Sequence, residues 1–230
     1  MNEKEFEEED GSNINEDEIE IESINSVIQE LRLYKVIILG DSGVGKTSIS
    51  HRVTINEFDE KLVPTISVDL QNFKIKIKNQ NFIIQLWDNC GKSELVKNNP
   101  IIFKNTCIAI LVYSINNRES FENISIWNNI LHNYCFDCIK FLIGNKNDLE
   151  EERQVQKEEG EKFKNENNFS YFFEISTKNV LNVKSLLNNI AISIYEKFGE
   201  ELINPPDSIS LDKLDFRNRK TIGKRKKCCS

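Results

Sequence analysis

A chain of 230 residues has room for one domain with tails, at about 100 to 200 residues per domain, and none for a large two-domain enzyme. With 39% hydrophobic residues and 14 Phe, it carries enough apolar material for a core, which excludes wholesale disorder. The net charge of −7 hides an asymmetry: residues 1–30 hold twelve acids and one Lys, whereas Arg217 to Lys227 hold seven bases and no acid. An acidic whole argues against nucleic-acid binding, and a basic C-terminal stretch suits an anionic membrane surface or an acidic partner. The longest apolar run, around Ile108–Tyr113, is far short of the roughly 18 to 20 residues that span a bilayer, and the acidic start is unlike a signal peptide. The expectation is a cytosolic chain whose six Cys are thiols rather than a disulfide framework.

Residues 1–31 read as an acidic, disordered extension. Tyr34–Leu39 is a short apolar run followed by a Gly-rich turn and then Lys46–Arg52, the order strand, loop, helix. Phe73–Lys78 alternates strictly and Asn81–Trp87 is again strand-like, which predicts an antiparallel hairpin. Ile108–Ser114, Ile139–Gly144 and Ser170–Glu174 read as buried strands with helix-length stretches between them. Val183, Leu186, Leu187, Ile190, Ile194 and Phe198 recur at helical spacing and predict a closing amphipathic helix. Residues 32–199 thus form one three-layer α/β domain with a mostly parallel six-stranded sheet, one antiparallel edge strand and disordered termini, and residues 200–230 form a tail.

Gly40-Asp-Ser-Gly-Val-Gly-Lys-Thr47 fits the phosphate-loop spacing in the strand-to-helix context it requires. Its glycines let backbone N–H groups face phosphates, the helix start adds positive potential, Lys46 reaches the outer phosphates and the Thr47 hydroxyl suits Mg²⁺. Alone, this pattern says nucleoside triphosphate without naming the base. Asn145-Lys-Asn-Asp148 follows a predicted strand at a carboxyl edge of the sheet. A carboxylate there accepts from guanine N1–H and the N2 amino group, two donors that adenine lacks, so Asp148 favours guanine.

With these motifs in this order, Tyr34 to Phe198 resembles the Ras superfamily of small GTPases, its Rab branch most closely. By that resemblance the domain is a P-loop GTPase fold in which Asp41, Ser42, Gly43, Val44, Gly45, Lys46, Thr47 and Ser48 hold phosphates. Pro64–Leu70 resembles the first switch, with Thr65 on Mg²⁺ and near the γ-phosphate, and Phe58 corresponds to the aromatic packed on guanine. Trp87–Lys92 resembles the second switch, with Asp88 on Mg²⁺ through water and the Gly91 N–H toward the γ-phosphate. Ser176-Thr177-Lys178 resembles the last guanine loop, in which Ser176 braces Asp148; Asn145 and Lys146 complete the guanine set. The catalytic group comprises Lys46, Thr65, Gly91 and the residue after it.

That residue is Lys92, where the family has a water-positioning Gln. A lysine cannot both accept from water and donate to the γ-phosphate, so slow intrinsic hydrolysis is expected. The alternatives are a bystander lysine, with water positioned by the Thr65 carbonyl or by an activating protein, and a GTP-locked, non-hydrolysing scaffold. Asn89, Cys90, Leu70 and Ser67 also depart from the family, which bears on partner identity.

Cys228-Cys229-Ser230, preceded by Lys224–Lys227, resembles a doubly geranylgeranylated tail rather than a C-a-a-X box. Two prenyl groups beside a basic run supply paired signals for membrane anchoring. The resemblance further implies Mg²⁺, GTP and GDP, an exchange factor, a GTPase-activating protein, a GDP-dissociation inhibitor, a prenylation escort and effectors. It also implies a monomer on the cytoplasmic face of an endomembrane, with a cytosolic pool. Cys135-Phe-Asp-Cys138 has no second Cys pair or His nearby, so it reads as thiols rather than a metal or redox centre.

Overall fold

The computed structural model describes residues 19–23, 32–77 and 80–203. The prenylation motif at Cys228 and Cys229 and the disordered-terminus expectation for 204–230 lie outside the described residues. Strands β1 (Ile19–Ser23), β2 (Leu33–Leu39), β3 (Asp69–Ile77), β4 (Gln80–Asp88), β5 (Thr106–Ser114), β6 (Ile139–Asn145) and β7 (Tyr171–Glu174) form one sheet in the order β1-β3-β4-β2-β5-β6-β7. Helices α1 (Lys46–Thr54), α2 (Ser93–Lys97), α3 (Arg118–Glu122), α4 (Ile124–Tyr134), α5 (Lys157–Glu166) and α6 (Val183–Ile203) connect and flank the strands. Strands β4, β2, β5, β6 and β7 are mutually parallel, and β3 runs against β4.

The central strands are buried on both faces, because period-2 alternation sends their side chains into two separate cores. On one side Val36, Ile38, Ile84, Ile110 and Val112 pack with Ile49 of α1 and Leu186, Ile190 and Ile194 of α6. On the other, Ile37, Leu39, Leu111 and Tyr113 pack with Val96 of α2, Phe121 of α3 and Trp127 and Leu131 of α4. The three-layer α/β architecture and its mostly parallel sheet follow from these two apolar faces.

Residues 32–199 carry the six strands expected, five parallel and antiparallel β3 outermost, and β1 from the N-terminal extension adds a seventh outside β3 over Phe73–Ile77. Part of the extension read as disordered is therefore strand. The physical reason lies in Ile19-Glu-Ile-Glu22, whose alternation matches that of Phe73–Ile77, a pattern masked by the acid-rich composition around it. At the other end, α6 continues past residue 199 to Ile203.

Candidate functional site

Loops at the carboxyl ends of β2, β4 and β6 meet with the segment before β3 in one cleft of about 380 Å³. This is where open α/β sheets place ligands, and the volume suits a small molecule. Ser42, Gly43, Gly45, Lys46, Thr47 and Ser48 line it, and so do Phe58, Thr65, Gly91, Asn145, Lys146, Asp148, Thr177 and Lys178. Asp88 is fully buried and Val44 nearly so, while Asp41, Ser176 and Lys92 do not line the cleft.

The loop after β2 wraps closely around its neighbours. Gly45 sits at φ 97° before α1, and a Cβ there would lie 2.2 Å from the Asn145 amide nitrogen. Only glycine serves at such a position. Asn145 itself, grouped by sequence with the guanine-facing residues, donates its amide to the Val44 carbonyl at 2.9 Å. It thereby ties the guanine loop to the phosphate loop. A Cβ on Gly91 would lie 2.0 Å from the Ser42 nitrogen, so the second switch segment rests directly on the phosphate loop.

Three oxygen groups converge beneath that loop. The Thr47 hydroxyl donates to Asp88 Oδ2 at 2.6 Å and lies 2.8 Å from the Thr65 hydroxyl, which is 3.5 Å from the same carboxylate oxygen. The second oxygen, Asp88 Oδ1, is buried with no hydrogen-bond partner among the described residues. Burial pushes the Asp88 carboxyl up, opposed by the Thr47 hydrogen bond and the Lys46 charge. An unpartnered buried carboxylate oxygen beside two hydroxyls is a hard-oxygen set that fits a small divalent cation. Lys46 is also buried, which lowers its pKa against the attraction of Asp88 and Asp41, and its ammonium donates to the Asp41 carbonyl at 2.6 Å.

The other end of the cleft is built by two loops. The Ser176 hydroxyl donates to Asp148 Oδ1 at 2.5 Å and accepts from the Asn179 N–H at 3.0 Å, which fixes the carboxylate. Lys146 occupies a left-handed conformation at φ 66°, and burial lowers its ammonium pKa. Lys178 is exposed and pairs with Glu60 at 2.7 Å, joining the last guanine loop to the segment between α1 and β3.

A Ras family model matches residues 35–196 of this chain. The chain belongs to the Ras family. Ras-related protein Rab-13 of Bos taurus is 33% identical over 190 residues, which cover 81% of this chain and 93% of the relative. Ras-related protein Rab-11C of Dictyostelium discoideum is 35% identical over 164 residues, 71% of this chain and 73% of its own length. Ras-related protein Rab-8 of Diplobatis ommata is 30% identical over 195 residues, 84% and 92% of the two chains. The chain is thus a small GTPase and a divergent Rab member of the Ras superfamily.

Several contacts that shape the site of this small GTPase escaped the motif reading. Asp41 accepts from Asn123 Nδ2 at 2.7 Å and from the Trp127 indole N–H at 2.8 Å, so α4 and the residue before it hold the phosphate loop. Arg52 donates to the Thr177 carbonyl at 2.9 Å and lies 5.9 Å from the Phe58 ring, joining α1 to both guanine-side elements. Asn89 is buried and donates to the Ile38 and Trp87 carbonyls. No local spacing signals these contacts, because each joins distant segments or depends on a buried backbone carbonyl. Lys92 is exposed, caps α2 through its backbone carbonyl, and its side chain has no hydrogen bond or ion pair among the described residues.

Proposed function

We propose that this small GTPase is a Rab-like switch that binds GTP and GDP with Mg²⁺ and recruits effectors to intracellular membranes in vesicle traffic. Slow intrinsic hydrolysis is part of the proposal. The observation that carries the reading is the meeting of Thr65, from the segment before β3, with Thr47 and Asp88 beneath the phosphate loop. That contact links a movable segment to the phosphate end of the cleft, the relation a nucleotide switch requires.

In this reading the phosphate-loop amides and Lys46 bind the phosphates, and Asp148, braced by Ser176, accepts from guanine. Phe58, held beside Arg52, packs on the base. Thr47, Thr65 and Asp88 would hold Mg²⁺, which supplies charge neutralisation at the outer phosphates. Thr65 and Gly91 respond to the γ-phosphate, and their segments order or release together. Lys92 does not line the cleft, and its ammonium offers no acceptor to an attacking water. The Cys228-Cys229 end would carry geranylgeranyl groups that, with the basic run, attach the protein to a membrane.

Lys92 also favours a second reading, a protein that holds GTP almost permanently as a membrane-attached scaffold. Displacement of a fluorescent GDP analogue from the Mg²⁺-loaded protein tests the shared core of both. Excess GTP and GDP should displace it and ATP should not. Displacement by ATP at similar concentration would refute the guanine assignment.

A further inference from the structure

Two half-buried free thiols, Cys135 and Cys138, share the turn that leads from α4 into β6. Only Phe136 and Asp137 lie between them, and both are exposed, so a small reagent in solution can approach the turn. The turn sits where β6 begins, at the end of the sheet away from the loops that build the cleft, and neither thiol lines that cleft. As a spacing, Cys-x-x-Cys without a second pair or a His nearby argues against a metal centre. A bridge between two sulfurs needs neither.

The backbone brings the two side chains to one place. Cys135 closes α4, its N–H donating to the Leu131 carbonyl at 2.8 Å, and it then takes an extended conformation that turns the chain away from the helix axis. Three residues on, the Cys138 thiol comes back to donate to the Cys135 carbonyl at 3.6 Å, while the Cys135 thiol reaches the Thr106 carbonyl at 3.7 Å. Lys197 of α6 pairs with the Asp137 carboxylate at 3.1 Å and so holds a positive charge beside the turn. Cys107 of β5 packs on the other face of the sheet, whereas Cys135 and Cys138 pack on the same one.

The two sulfurs are unequal. The neighbouring Cys138 thiol, the Asp137 and Cys138 N–H groups and the Lys197 charge outweigh burial and bring the Cys135 thiol down to about 7. Its neighbour and burial push Cys138 up. A thiol that titrates near neutral pH is the best placed to attack a disulfide, and a second thiol within reach can then displace what the first has captured.

The geometry points to a redox-modification site at the turn between α4 and β6, in which Cys135 attacks a low-molecular-weight disulfide and Cys138 resolves the adduct into an internal Cys135–Cys138 bridge. In the first step a bond forms between the Cys135 sulfur and one sulfur of the small disulfide, the old S–S bond breaks, and a small thiolate leaves and takes a proton from water. In the second, the Cys138 sulfur attacks the Cys135 sulfur, and the remaining small thiol departs with the Cys138 proton. Two protein thiols are oxidised and one small disulfide is reduced to two thiols. This inference does not depend on the nucleotide or on the rate of its hydrolysis.

The test uses the full-length chain loaded with GDP and equilibrated in mixtures of reduced and oxidised glutathione, then quenched in acid, alkylated and cleaved after Lys and Arg. Residues 119–140 leave as one peptide, and its only cysteines are Cys135 and Cys138. Mass spectrometry should find this peptide two hydrogens lighter, in a single transition as the fraction of oxidised glutathione rises. Cys138→Ser should halt the reaction at a glutathione adduct on Cys135. Cys135→Ser should take up glutathione on Cys138 at least about 10-fold more slowly than that. The wild-type titration needs no substitution, so it decides the bridge even where a variant misfolds. A peptide that never loses the two hydrogens, even in oxidised glutathione alone, would overturn the proposal, as would equal rates of adduct formation in the two variants or a bridge from Cys135 to a different cysteine.

Discussion

The indole N–H of Trp127 donates to Asp41 Oδ1 at 2.8 Å, linking the middle of α4 to the first turn of the phosphate loop. Asn123 holds the other carboxylate oxygen at 2.7 Å, so both oxygens of Asp41 are fixed by one helical segment. A loop whose backbone amides must face phosphates gains from being held in place before the ligand arrives.

Replacing Trp127 with Phe keeps aromatic bulk and removes the donor. Loss of a hydrogen bond to a charged group should cost about 1.5 to 3 kcal/mol of stability, read from denaturant unfolding. Nucleotide release should quicken by on the order of 10-fold, equivalent to about 1.4 kcal/mol. A lowered stability with unchanged release would mean that the contact supports only the core.

Asp148 offers two acceptor oxygens, one braced by Ser176 at 2.5 Å. Asp148→Asn places a donor where guanine presents donors, and should weaken guanine nucleotides at least ~100-fold. Xanthine nucleotides, which present an acceptor at that position, should bind the variant better than guanine nucleotides do. Equilibrium titration with both bases decides it, and undiminished guanine affinity would remove Asp148 from the site.

Cys135 and Cys138, both half-buried free thiols, should differ in reactivity. The Cys138 thiol donates to the Cys135 backbone carbonyl at 3.6 Å, and this neighbour, with the nearby Lys197 charge, holds the Cys135 thiol below its ordinary range while the same proximity and burial push Cys138 up. A lowered pKa leaves more thiolate at neutral pH, so Cys135 should be alkylated before Cys138, with a midpoint below about 8.5. Cys138→Ala removes the donor and should shift that midpoint upward. Mass spectrometry after timed iodoacetamide treatment reads both, and a midpoint unaffected by the substitution would exclude the contact as the cause.

The parallel strands were legible because β2, β5 and β6 are buried on both faces and read as continuous apolar runs, and α6 because its apolar residues keep helical spacing. That the loops at Gly40–Thr47 and Asn145–Asp148 contribute to one site was legible because each motif is local and sits directly after a strand. Strand β1 was not, since four residues of alternating Ile and Glu inside an acid-rich stretch become strand only against the matching alternation of β3. The clamp on Asp41 was equally hidden, because its partners lie 82 and 86 residues away in sequence and an Asn and a Trp on a helix announce nothing by themselves. Asn145 shows the same limit in reverse: the motif named it, yet its bond to the Val44 carbonyl depends on how two loops pack.

In the proposed function, Lys92 sets the rate at which the switch turns off. The direct measurement is single-turnover release of γ-phosphate from GTP-loaded, Mg²⁺-containing protein, compared with Lys92→Gln. An amide at that position can accept from water and donate to the γ-phosphate, so the substitution should raise the rate by on the order of 10-fold or more over a slow wild type. Equal, readily measured rates in the two proteins would contradict the account and leave Lys92 a bystander in an ordinary GTPase cycle.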